Sequence, residues 1–218
     1  VLFILALVLF LIGQAIYEPI LTSPDYLDHV YPNRVAVIIG ILLEFLAALS
    51  VVLIPVFLFP ILKNKYEVLA LGYVSFRLFE AVLMSVAQIY KLSLVNLSQA
   101  HLNAGGIDAS FFQNTSTSLQ SVSSWIDHDG LIYLVVFAIG TLMLNAAFYK
   151  SRLIPRWLSI WGFISGIAIL AGSVIATFEI SLVLAMLLVI PIALQEQVMA
   201  IWLIAKGFNP SAIASESA

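Results

Sequence analysis

The sequence predicts an all-α polytopic membrane protein: six transmembrane helices in a compact bundle, both termini cytoplasmic, with a long outer loop between helices three and four. Three observations carry this reading. Hydrophobic residues make up 62% of the chain and charged residues 10%, with a mean hydropathy of +1.10. That share lies far above soluble domains, so a bilayer is the solvent the fold must satisfy. Six continuous apolar runs each reach the roughly 20 residues needed to cross a hydrocarbon core as a helix. Lys and Arg gather in the loops that would share one side.

The runs fall at roughly 1–20, 35–62, 66–94, 129–149, 153–177 and 181–206. Barrel strands would alternate polar and apolar residues, and these runs do not. Val1 already stands inside the first run, so a short preceding piece is expected. The run lacks a small-x-small cleavage site and reads as a membrane helix rather than a signal peptide. Lys63–Lys65 and Lys150–Arg152 form tight links, which makes their flanking helices antiparallel neighbours. Lys63, Lys65, Lys150, Arg152, Arg156 and Lys206 then share one side, against Arg34 and Lys91 on the other. The cationic side is the cytoplasmic one, giving an N-in, C-in chain with a transmembrane domain over 1–206 and a cytoplasmic tail over 207–218. Pro55 and Pro191 fall inside spans and are expected to kink them.

The segment at about 95–128 is polar and Ser/Thr-rich, with Phe111, Phe112 and Trp125 interspersed. Its length suits a lid, a docking surface or a partly helical cap. Gly72-Tyr-Val-Ser75 and Gly162-Phe-Ile-Ser165 echo one another and hint at a duplicated helical hairpin.

Charge inside the spans is the main functional signal. A charged side chain at the bilayer centre costs about 2.5–3.5 kcal/mol on insertion scales, so each one needs a local reason. At 1.5 Å per residue, Arg77 and Glu80 lie about 18 and 22 Å from Lys65, Glu196 about 15 Å from Lys206, and Glu44 about 15 Å from Arg34. All four are expected near the midplane. Arg77 and Glu80 share one helix face, and Tyr73, Met84, Gln88 and Lys91 extend it into a stripe that must look into the bundle. Gln195 and Glu196 follow Pro191 on the last helix. Glu44, Arg77, Glu80, Gln195 and Glu196 are therefore the candidate ligand-binding residues. With several carboxylates against one guanidinium, at least one Glu is expected to hold a proton at neutral pH. Such a cluster is either a clamp that fixes helix register or a site for a small polar, anionic or amphipathic ligand, a lipid or a proton. Asn145 fits either; Gln14, Tyr17 and Glu18 would form a mouth or cap.

His29, His101 and His128 map to the outer side with Asp127 and Asp129, a set that could bind zinc and hydrolyse a lipid headgroup. No pair among them has the i, i+4 spacing of a helical metal site, so no metal or other cofactor is expected. Cys is absent, which removes disulfides and thiol chemistry. The formal charge of −3 is unclustered and argues against nucleic acid. Phosphate loops and nucleophile elbows are missing, so the reading leans away from an enzyme.

Three stretches, GYVSFRLFEAV, YKSRLIPRWLSIWGFISG and PIALQEQVMAIWLIAKGFNPSAIAS, together with PDYL near the start, resemble the bacterial membrane proteins catalogued as domain of unknown function 4386. The resemblance spans nearly the whole chain. It implies a bacterial cytoplasmic-membrane protein built as a compact bundle, and it implies no activity. The family's recurrent polar positions fall on Arg77, Glu80, Arg152, Pro155, Arg156, Trp157, Gln195 and Glu196. The IDHDG stretch departs from the apolar sequence expected there, which weakens the metal reading. Two functions therefore lead: a non-enzymatic protein that binds and moves a small ligand or protons, and an accessory subunit that docks a membrane partner or a second copy of itself. The outer-face hydrolase stands third.

Overall fold

The computed structural model describes residues 1–105 and 107–214, apart from the side chains of Lys65, Ile213 and Ala214. The Lys65 charge, Gly106 of the outer segment and the tail from 215 onward lie outside the described residues. The elements are α1 (Leu2–Leu21), α2 (Tyr26–Val30), α3 (Arg34–Asn103), α4 (Ala109–Ser123), α5 (Leu131–Ser151), α6 (Arg156–Thr177), α7 (Leu182–Ala205) and α8 (Pro210–Ala214). Among the described residues there is no strand.

Helix α3 breaks at Tyr66, whose φ of −130° and ψ of 40° leave the helical region. Its arms, α3a (Arg34–Asn64) and α3b (Tyr66–Asn103), are separate membrane spans. They run antiparallel, as the core levels show: Leu62 clusters with Ala70, Ala47 and Ala48 with Ala81 and Met84, and Val37 with Leu94 and Val95. With α1, α5, α6 and α7 they make six helices long and apolar enough to cross a membrane. Helical geometry persists through Pro55, so the break falls at Tyr66 instead.

Packing runs α1 on α3, α3 on α5, α5 on α6 and α6 on α7, and α7 returns to α1 through a thin contact. The outward faces stay apolar: Leu5, Val8, Leu11 and Ile12 on α1, and Leu42, Phe45, Leu46 and Leu49 on α3a, are exposed. A lipid-covered surface accounts for that composition, because hydrocarbon imposes no penalty on it.

Four spans match their expected limits within a residue or two; the largest difference is α3b, which continues nine residues past the apolar run. A helix need not end where lipid does. Residues 95–103 stay helical because one face still packs: Ser98 is buried, donating to Leu27 O and accepting from Tyr31 N. The segment between α3b and α5 is likewise helical over α4, where Phe112 and Leu119 pack on the α2–α3 end of the core and Tyr26 Oη donates to Ser116 Oγ at 2.6 Å.

Candidate functional site

The α3b stripe is buried along its whole length: Tyr73, Arg77, Glu80, Met84, Gln88 and Lys91 are each under 10% exposed. Helical spacing of three and four puts them on one face, and the neighbours on α1, α3a, α5 and α7 turn that face into two charge centres.

Arg77 organises the first. Its Nη1 donates to both oxygens of Glu80 at 3.0 Å, Nη2 donates to Glu196 Oε1 at 2.6 Å, and Nε donates to Tyr73 Oη at 3.2 Å. Tyr133 on α5 donates to Glu80 Oε1, and the Phe137 ring lies 5.1 Å from the guanidinium. Arg77 and Glu80 side chains are 3% and 2% exposed, whereas Glu196, reaching in from α7, is 18% exposed. That exposure opens on a cavity of about 230 Å³ lined by Arg77, Glu80, Glu196 and His128, with apolar walls that include Phe10 and Phe137. Since about 30 Å³ is one water's share of liquid volume, this space exceeds a few waters. It lies where α7 meets α1 only thinly.

Lys91 organises the second centre. Its Nζ donates to Tyr17 Oη at 2.8 Å and Glu44 Oε2 at 3.0 Å, and pairs with Asp127 Oδ2 at 3.3 Å. Tyr17 donates to Glu44 Oε1 and Gln88 to Glu44 Oε2, so Glu44, 1% exposed, is fully engaged. Glycine makes the approach possible. A Cβ on Gly13 would lie 2.7 Å from Gly40 O, and one on Gly40 2.7 Å from Gly13 O, so α1 and α3a touch backbone to backbone. One turn on from each glycine stand Tyr17 and Glu44.

The stretch before α5 joins the two centres. Asp127 faces Lys91, and His128 lines the Arg77 cavity, its Nδ1 3.2 Å from Asp127 Oδ1 and its Nε2 3.0 Å from the Gln14 amide. Burial would raise Asp127, but the His128 hydrogen bonds and the Lys91 charge outweigh it and hold the carboxyl well below the usual range. Burial would lower His128, and the Asp127 hydrogen bond and charge outweigh that, raising it above the ordinary imidazole value.

Against the sequence-based expectation of one midplane cluster, Arg77, Glu80 and Glu196 come together while Glu44 does not join them. Lys91, its partner, lies about 16 Å along α3b from Glu80 at 1.5 Å per residue. The depth argument took Arg34 as the point where helix meets lipid, and α3a at 31 residues is longer than the hydrocarbon core requires. Gln195 also turns elsewhere. Consecutive helical residues differ by about 100° in direction, so with Glu196 on the cavity Gln195 faces α6, donating to Leu158 O at 3.2 Å and to Asn145 Oδ1 at 3.4 Å. The histidines do not gather: His29 is exposed, His101 pairs with Asp28, His128 with Asp127, and Asp129 is exposed. Among the described residues no three His, Asp or Glu side chains are placed to hold a metal ion. The outer-face hydrolase thus lacks a metal centre built from these residues. Tyr133 and the pairing of Lys91 with Asp127 escaped the sequence reading; Lys91's place on the buried stripe was the available signal.

Fold and site together define a multi-pass helical membrane protein with ionisable groups buried between its helices. The chain belongs to the family described as Domain of unknown function (DUF4386), which matches residues 1–207. No curated protein and no solved structure matches it.

Proposed function

We propose that this protein binds a small polar or amphipathic ligand, or protons, at the Arg77–Glu80–Glu196 centre, and that binding there serves movement of that ligand within the membrane. The observation that carries the proposal is the 230 Å³ cavity ending on those three side chains. Scaled from benzene in a 150 Å³ cavity, it has room for roughly nine non-hydrogen atoms. Its chemistry favours a donor head on an apolar body. Arg77 already donates to Glu80, Glu196 and Tyr73, whereas Glu196 Oε2 has no donor among the described residues. One guanidinium faces two carboxylates, so a cationic or proton-donating head balances the site.

The test is thermal unfolding of the detergent-purified protein with hexylammonium, hexanol or hexanoate. Hexylammonium is expected to raise the melting temperature most. Glu196→Gln should abolish that gain while shifting unliganded stability by no more than about 1 kcal/mol, because the amide oxygen still accepts from Arg77. Stabilisation by none of the three compounds, or gains that survive Glu196→Gln, would overturn the reading.

The orientation we propose is N-in and C-in, in a bacterial cytoplasmic membrane. It is supported by Lys63 and Lys150 lining one surface hollow and by Arg152, Arg156 and Lys206 lining another. A second reading, an accessory subunit of a membrane complex, is favoured by α4 and its flanks. Ile107, Phe111, Val122 and Trp125 are 50–72% exposed there. Copurification of a stoichiometric partner that is lost on Phe111→Ser with Trp125→Ser would support it; release of the protein alone under mild extraction would count against it.

A further inference from the structure

Two turns meet at the end of the bundle where α5 and α7 finish and α6 begins. The α5–α6 turn is pinned by Leu153 and Ile154, 0% and 2% exposed in the end core. Arg152 stands before them in a left-handed conformation, φ 58°, at a helix C-terminus where glycine is the usual residue. The α7–α8 turn passes through Lys206 and Gly207 and folds back: Asn209 N donates to Leu153 O at 2.9 Å, Asn209 Nδ2 to Arg152 O at 3.4 Å, and Ser211 ties to Asn209 Oδ1. The backbone on both sides is therefore held by hydrogen bonds and buried anchors.

Between the turns lies an open hollow of about 470 Å³, lined by the cations Arg152, Arg156 and Lys206, by Trp202 and Phe208, and, among the described residues, by no acidic one. Among the described residues none of the three cations has an ion pair or a side-chain hydrogen bond. Arg156 is steered only by the Tyr149 ring, 5.1 Å from its guanidinium. All three side chains are exposed, so they can turn toward a ligand in the hollow they share. The N-terminus of α6, beginning at Arg156, adds its partial positive charge to the same side. Two guanidiniums and an ammonium in a fixed frame suit the tetrahedral oxygens of phosphate.

We propose that this cavity binds a phosphate-bearing anion, supplied as a phospholipid headgroup or as free phosphate. The site stands apart from the Arg77 cavity and does not depend on its reading. Two features bear on the source. Tyr149, Trp157 and Trp161 border the same turn, the aromatic signature of headgroup depth. A groove of about 270 Å³ between α5 and α6 runs from Tyr149 and Lys150 to Phe163 and Ile164, with walls suited to an acyl chain.

The experiment is native mass spectrometry of the full chain in non-ionic detergent, titrated with phosphatidylglycerol and with phosphatidylcholine. Wild type should bind phosphatidylglycerol in preference. Combined Arg152→Gln, Arg156→Gln and Lys206→Gln should weaken that binding by more than roughly tenfold, and the control pair Arg34→Gln with Lys63→Gln should leave it unchanged. Lys206→Gln alone, at an exposed side chain without a partner, should show a smaller loss and keeps the test decisive should the triple variant misfold. Competition by millimolar inorganic phosphate would assign the site to the free anion; bound lipid that resists it would assign the site to the headgroup. Equal phosphatidylglycerol binding by wild type, Lys206→Gln and a folded triple variant, or phosphatidylcholine binding as tightly as phosphatidylglycerol, would overturn the proposal.

Discussion

Arg77 and Lys91 stand on one face of one helix, about 21 Å apart along its axis, and each meets two carboxylates and at least one tyrosine hydroxyl. In the Lys91 centre every donor and every carboxylate oxygen is used, and the buried atom without a partner is the neutral amide oxygen Gln88 Oε1: three acceptors surround the ammonium, Glu44 takes Tyr17, Gln88 and Lys91, and Asp127 takes His128 and Lys91. In the Arg77 centre one carboxylate oxygen, Glu196 Oε2, is left without a donor among the described residues, and it belongs to the side chain on the cavity. Equal charge stoichiometry thus supports two roles. A closed network fixes the approach of α1 to α3, whereas an incomplete network beside open space can take a ligand.

Several substitutions sharpen or break that contrast. The largest effect belongs to Arg77→Ala, which strands Glu80 and Glu196 and should lower stability by about 3–5 kcal/mol in detergent unfolding. Unchanged stability would mean that cavity water serves the carboxylates and that the pairing is not structural. Tyr17→Phe removes the hydroxyl shared by Glu44 and Lys91 and should cost about 1–3 kcal/mol, while the melting-temperature gain from hexylammonium persists; loss of that gain would show the two centres to be one coupled unit.

The smallest effect concerns pH at the Asp127–His128 strap. His128 is raised on folding, so its contribution is fully present below its ordinary value near 6.5 and is lost as pH climbs through the raised value. Asp127 is lowered, so its contribution is present above about 3.8 and fades only in acid. The His128 side chain is 37% exposed, so water screens it and the change stays modest. Amide exchange at residues 124–130 should quicken as pH rises above about 6.5, beyond the intrinsic base-catalysed rise, and His128→Gln should remove the excess. A pH profile shared by both proteins would detach the strap from this histidine.

Much of this was legible in the residues. Hydropathy located the six spans because lipid imposes one length and one composition on a helix. The period-3.6 stripe from Tyr73 to Lys91 announced a buried polar face, and axial distance brought Glu196 to Arg77. Four features depended on information that period and depth do not hold. Glu44 was assigned by counting from Arg34, at the end of an arm longer than a hydrocarbon core requires, and Gln195 by proximity in sequence where helix phase decides. The meeting of Tyr17 with Glu44 depends on Gly13 and Gly40 allowing two backbones to touch, and only the packed structure pairs them. The basic turn at Arg152 and Arg156 was read as a topology signal, because its cavity forms only when the residues after α7 fold back on it.

The central claim, that the Arg77 centre opens on water-accessible space and the Lys91 centre does not, can be put to the chain directly because it contains no cysteine. Single substitutions Ala193→Cys on the cavity wall, Gln88→Cys beside Glu44 and Leu194→Cys on the outward face would be treated with charged 2-aminoethyl methanethiosulfonate in lipid vesicles. Ala193→Cys is predicted to react at least about tenfold faster than either of the others, since only a hydrated thiol ionises and meets the reagent. Equal and slow labelling at Ala193 and Gln88 would contradict the account and make both centres structural clamps.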